Sequence, residues 1–261
     1  MIPENDVITS ISSHRSIRNY KSNPIADDVL QTILQAGLRA SSSGNMQTWS
    51  VIVTRTEEKK RQLYQAHYEQ HMILQAPIVL TFCADTHRMR KWISLHQSKQ
   101  SFDDFLGFLT GVMDAALAAQ NMVIAAESLG LGCCYMGTTW WSADQISEIL
   151  ALPACVFPCT SLVMGYPNEN PEIRDRLPLD LIVHEESYAL PDDAQFLQKH
   201  AAKEQATWDR YKTFPELKDK LKERGITKVT DFYTSDLKYP KSLHREKSEM
   251  LIAHLKKQQL F

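Results

Sequence analysis

From Gly111 to Leu131 a helix would be apolar on nearly every side, and few folds can house such a segment. Val112, Ala116, Ala119, Val123 and Ala126 form one stripe at helical spacing, and Ala115, Met122 and Leu129 widen it over most of the circumference. A helix of that kind belongs at the centre of something. Asp114, Gln120, Asn121 and Glu127 break the run well short of the roughly 18 clean residues of a membrane span. The segment therefore reads as a buried helix, with no membrane as partner.

The flanking patterns build a mixed core around it. After Pro24, Val29, Leu30, Ile33, Leu34 and Leu38 recur at steps of three and four, with Asp27 and Asp28 at the end a helix dipole favours for acids. TWSVIVT (48–54) and PIVLTFCAD (77–85) are short β-branched, apolar runs, separated by a charged segment of good helix formers. GLGCCYM ends a helix at glycine and feeds a strand, SADQISEIL opens with Ser142 placed as a helix cap, and CTSLVMGYP is a further buried strand. Beyond Tyr188, Pro191 to Arg224 and Lys238 to Lys257 are dense in charge, as helices are that cover their own domain or a partner subunit. The division expected is a core over 1–188 and a helical extension over 189–261.

Composition excludes several classes. At 43% hydrophobic and 23% charged the chain suits a soluble globular protein, and 29 basic against 31 acidic residues leave no general attraction to nucleic acid. The N-terminus lacks a basic region followed by an apolar run, so no secretory signal peptide is expected. Five cysteines, at 83, 133, 134, 155 and 159, read as reduced core residues of a cytoplasmic protein, and no metal site is expected of them. GxGxxG, P-loop, GxSxG and HExxH motifs are all absent.

Four clusters carry possible chemistry. In His14-Arg15-Ser16-Ile17-Arg18 an extended backbone would turn residues 14, 16 and 18 to one side, and arginine forks suit phosphate oxygens; a solvated basic turn has the same composition. Ala40 to Trp49 (ASSSGNMQTW) offers hydroxyls, a glycine and amides to a heteroaromatic edge or a polyol, and is equally a polar loop that stops a helix. Arg174 and Arg176, with one residue between them, make a second fork if extended, or plain surface charge. Tyr135-Met136-Gly137-Thr138 ends a buried strand where glycine would admit a flat ligand, with Trp140 and Trp141 beside it as pocket walls or core.

Taken together and in this order, HRSIRNY, SSSGNMQTW, AAESLGLG ahead of the YMG strand, and NPEIRDRLP followed by VHEESY resemble the oxygen-insensitive, FMN-dependent nitroreductase family. The resemblance is greatest to its type A subgroup of NAD(P)H-dependent nitro and flavin reductases, in register from about Ile11 to Tyr188. It implies an α+β protein, a mainly antiparallel sheet around a central helix, that forms a homodimer by exchange of C-terminal segments and holds FMN at the dimer interface. By motif position His14, Arg15, Ser16 and Arg18, with Arg174 and Arg176, would hold the FMN phosphate. Ser42, Ser43 and Asn45 would reach the cofactor from the other subunit, Gln70 would contact the isoalloxazine, and Tyr135, Met136, Gly137 and Thr138 would present backbone to it. The subgroup often has lysine where Arg174 stands, and the charge survives. The tail is longer between Tyr188 and Phe232 than the resemblance implies, and Ser235, with Lys238 nearby, falls near the place of the arginine that similar enzymes use for the 2′-phosphate of NADPH. NADPH and NADH both stay open as electron donor.

The activity implied is hydride transfer from NAD(P)H to FMN and then electron transfer to nitroaromatics, quinones or flavins by a ping-pong mechanism. The flavin carries the chemistry, so no catalytic side chain is expected. The alternative is a non-catalytic flavin-binding or sensing protein whose tryptophans block the ring face.

Overall fold

The computed structural model describes residues 5–261; Met1 to Glu4, where the stretch read for a signal peptide begins, lie outside the described residues. In chain order the elements are α1 (Asp6–Ser12), α2 (Asp27–Leu38), β1 (Trp49–Thr54), α3 (Glu57–Ala66), α4 (Met72–Gln75), β2 (Ile78–Asp85), α5 (His87–Leu95), α6 (Phe105–Ser128), β3 (Gly132–Met136), α7 (Ala143–Ile149), β4 (Val156–Gly165), α8 (Asp193–Lys212), α9 (Pro215–Glu223), α10 (Val229–Thr234) and α11 (Lys241–Lys257). Asn5, Thr56, Asp104 and Asp192 cap α1, α3, α6 and α8 by accepting from free backbone N–H groups of the first turn. Ser142 makes no such bond at α7, so the cap read from its position is not formed.

The sheet runs β1-β2-β4-β3, every pair antiparallel. The inner strand β2 is buried at every residue, Thr81 and Asp85 included, which explains why apolar and polar residues do not alternate along it: helices cover both faces. Leu80, Phe82, Leu162 and Met164 join Ile33, Ala119 and Met122 in one core cluster, with α2 and α6. Their strand neighbours Val79, Val163, Cys134 and Met136 pack with Leu63, Ile73 and Ile146 in another. The period of two along each strand thus sorts residues into two layers. All five cysteines are free and buried, as their spacing suggested.

α6 corrects the reading of a helix buried on all sides. Phe108, Ala115, Ala118, Ala119, Met122, Val123 and Ala126 are buried, but Leu106, Leu109, Met113 and Leu117, at steps of three and four, are exposed. By length and composition the helix is apolar enough to cross a membrane; here its inner face packs on β2 and α2.

Two compact units divide the chain. The first holds residues up to Ile173 together with Ser248–Phe261, the second Arg174–Lys247. The divisions fall at 173 and 247. The last residues return to the first unit because they have apolar side chains to bury: Leu255 and Leu260 enter its core, the Cys155 N–H donates to the Gln258 carbonyl at 2.8 Å, and His254 Nε2 lies 3.0 Å from Ser147 Oγ. In the second unit Leu221, Val229 and Phe232 are buried, Tyr211 stacks edge-on to Phe232 at 4.7 Å, and α8 has no buried residue.

Candidate functional site

The segment from His14 to Asn19 is irregular and lies along the outer edge of β3, where the Ile17 N–H donates to the Cys133 carbonyl at 2.9 Å. Gly132 makes the approach possible, since a Cβ there would stand 2.5 Å from Ile17 Cγ1. His14 Nδ1 is 2.7 Å from Glu127 Oε1 at the end of α6. Arg15 donates to Asn170 Oδ1 at 2.6 Å and to the Pro171 carbonyl at 3.3 Å, and Arg18 Nη1 to the Ser16 carbonyl at 3.4 Å. These acceptors are neutral, so neither guanidinium has an ion-pair partner among the described residues and both keep their charge for an anion. Ser16 and Arg18 lie close enough to Cys134 to oppose the rise in thiol pKa that burial causes. Tyr20, whose hydroxyl pKa burial pushes up, closes the strip by donating to the Ile17 carbonyl at 2.5 Å.

The loop after α2 is organised by a buried carboxylate. Asp114 Oδ2 accepts from Ser42 Oγ (2.8 Å), Thr48 N (3.0 Å) and Thr48 Oγ1 (2.9 Å), and Oδ1 from Ser43 N (2.9 Å). Within the loop Gly44, Asn45 and Gln47 all take left-handed backbone angles, φ 55°, 54° and 48°. Gly and Asn tolerate this and Gln does not readily, so Gln47 is held from both sides: its N–H by Ser42 Oγ at 2.7 Å and its carbonyl by Arg88. Asp114 and Glu127 are thirteen positions apart on α6, about 20 Å along the axis at 1.5 Å per residue. The loop and the N-terminal strip are thus anchored far apart on one chain.

At the end of β3, Gly137 has open space where a Cβ would project and no left-handed angle to excuse it, so nothing in the fold itself requires glycine. Next to it Thr138 Oγ1 accepts from Gln70 Nε2 at 3.1 Å and lies 2.8 Å from His67 Nδ1. Met136 is buried, and Tyr135, partly exposed, reaches Gln120 at 3.5 Å. Trp140 is exposed rather than core, and lines an apolar cavity of about 410 Å³ with Phe108, Phe157 and Leu255. Arg174 and Arg176 open the second unit, where Arg176 Nη1 donates to the carbonyls of Arg174 (3.1 Å) and Asp175 (3.3 Å).

His14 to Arg18, Gln70 and Tyr135 to Thr138 are therefore gathered along β3, while Ser42, Ser43 and Asn45 are not. Sequence reasoning missed Asp114, which it took only as an interruption of an apolar run, and His67. For Asp114 a signal existed: a lone carboxylate inside an apolar helix must find partners if buried.

A profile of the nitroreductase family matches residues 11–166. A curated NADPH-flavin oxidoreductase of Vibrio harveyi is 39% identical over 185 residues, 70% of this chain and 75% of that protein. An FMN reductase [NAD(P)H] of Bacillus subtilis is 37% identical over 191 residues, 72% of this chain and 77% of that protein. The crystal structure of nitroreductase A from Vibrio parahaemolyticus superposes with a TM-score of 0.80 at 32% identity, covering 98% of each chain.

Proposed function

This chain belongs to the nitroreductase family, and we propose that it is an FMN-dependent oxidoreductase that takes hydride from NADPH or NADH and reduces nitroaromatics, quinones or flavins in ping-pong fashion. One observation carries the reading: the Arg15 and Arg18 guanidiniums, neither with an ion-pair partner among the described residues, lie beside the start of β3, and the open Gly137 follows its end. From Cys133, beside the strip, to Gly137 is four residues, about 13 Å of strand, a separation suited to a phosphate and a ring joined by a ribityl chain. The residues thus fit FMN on both counts, a charge for the phosphate and room for the ring.

In this reading Arg15 and Arg18, with His14 and Ser16, bind the phosphate. Tyr135 to Thr138 lie against the ring and Gln70 fixes its edge. FMN, when bound, supplies the hydride acceptor and donor of both half-reactions. The protein orients it and admits donor and acceptor in turn, so no side chain need act as general acid or base.

The second subunit completes the site. Leu106, Leu109, Met113 and Leu117 form an unburied apolar stripe on α6, the kind of surface that obligate partners cover. A homodimer with this stripe at its interface explains why the helix is apolar on the side its own chain leaves bare. It also resolves the separation of about 20 Å along α6, since Ser42, Ser43 and Asn45 then serve the partner's cofactor. Within 189–261, the residues up to Lys247 wrap the partner, and the dimer is a soluble, cytoplasmic protein.

The test is the visible spectrum of the purified protein, followed by anaerobic addition of NADH and NADPH separately. Flavin bands that bleach, and recover with menadione or nitrofurazone, support the reading, and the faster nucleotide identifies the donor. Protein that binds FMN without bleaching is the non-catalytic alternative; protein that takes up no FMN refutes the proposal.

A further inference from the structure

His67 has no part in the reading above, yet it is built into the end of β3. Its ring is fully buried, Nδ1 is 2.8 Å from Thr138 Oγ1, and Nε2 is buried with no hydrogen-bond partner among the described residues. The chain then passes through Tyr68 and Glu69, both left-handed at φ 55° and 58°, a conformation unfavourable to any side chain and more so to a bulky one. This double left-handed step brings Gln70 back to the same hydroxyl. Gln70 Nε2 donates to Thr138 Oγ1 at 3.1 Å and to the His67 carbonyl at 3.2 Å.

The donor chemistry leaves one arrangement. A backbone carbonyl only accepts, so the amide nitrogen of Gln70, not its oxygen, must face His67. Both amide hydrogens are then engaged inside the protein, and Oε1 is left for whatever lies outside. Burial lowers the His67 pKa to about 4, so the ring is neutral and carries one N–H. On Nε2 that hydrogen would be a buried donor with no acceptor, whereas on Nδ1 it bonds Thr138, the cheaper tautomer. Thr138 Oγ1 then accepts from both His67 and Gln70, and its position is set from within.

Resting on the flavin reading, we propose that His67 is a positioning residue. Through Thr138 it locks Gln70 so that the ring of a bound flavin meets a fixed acceptor, the carboxamide Oε1. The oxidised isoalloxazine has a single N–H, on the imide N3, and that is the group this acceptor selects.

The experiment titrates the FMN-stripped protein with FMN and with N3-methyl-FMN, reading flavin fluorescence. Wild type should prefer FMN by about 10-fold, the worth of one well-made hydrogen bond. His67→Phe and Thr138→Val should each cut the preference to about 3-fold or less, the double variant should fall no further, and His67→Asn, which keeps a polar atom near the Nδ1 place, should retain it. A merely steric block by the methyl group would survive both substitutions, so an unchanged preference in His67→Phe and Thr138→Val overturns the proposal. If His67→Phe does not fold, Thr138→Val reads the same quantity from outside the core. Wild type that binds neither flavin condemns the flavin reading instead.

Discussion

Removing the Asp114 carboxylate should unfasten the loop from Ser42 to Thr48, and the cost follows from which donors lose their acceptor. Four donors point at it, two from Thr48, which is 1% exposed, and one each from Ser42 and Ser43, which water can reach. In Asp114→Ala the Thr48 N–H and hydroxyl become buried orphans at about 2 kcal/mol each, so the expected loss is about 4 kcal/mol. For a folded unit of this size that is a fall in Tm of about 8–16 °C. Asp114→Asn keeps an oxygen where three of the donors converge and sets an amide N–H only against Ser43, so its loss should be about 1–2 kcal/mol. Urea unfolding followed by far-UV circular dichroism, with FMN at a fixed concentration, measures both. Asp114→Ala within about 1 kcal/mol of wild type, or Asp114→Asn as harmful as Asp114→Ala, would refute the argument.

Gly137→Ala should leave the stability of the FMN-free protein unchanged, because its methyl meets open space, yet weaken FMN about 10-fold or more by fluorescence titration; equal affinity would remove the ring from that position. His67 is buried neutral with a pKa of about 4 against 6.5 unfolded, so below pH 6.5 the unfolded chain takes up a proton that the folded chain refuses. Stability should therefore be intact above pH 6.5 and fall by about 3 kcal/mol towards pH 4, and urea midpoints of His67→Asn should lack that part of the pH slope. Met113→Glu, on the bare apolar stripe, should convert dimer to monomer in sedimentation velocity and lower FMN affinity with it; a dimeric variant would place the interface elsewhere.

Much of the fold was legible along the chain. TWSVIVT and PIVLTFCAD became β1 and β2 within a residue at each end, and the helix after Pro24 became α2, because period and propensity act over a few neighbouring positions. The collinear motifs named the family that the comparisons show. Other features were not legible. α1 was missed, since its Val7, Ile8 and Ile11 bury nothing in the chain itself. Ser142 looked like a cap, but its side chain makes no capping bond.

Most helices and strands, and the kinds of chemistry the chain can offer, can be read from the residues in order. Both are local properties, set by the spacing of apolar residues and the order of motifs. Where those residues meet is set by long-range packing. Ser42 and Asp114 are 72 positions apart, and Gln70 and Thr138 are 68 apart, so their hydrogen bonds depend on strand order and on burial that no short-range pattern encodes. The same holds for α6: its composition demands cover on every side, but which face its own chain leaves bare follows from packing against β2 and α2. A buried polar group must be satisfied wherever the fold puts it, and the fold puts Asp114 and His67 where the loop and the end of β3 need anchors.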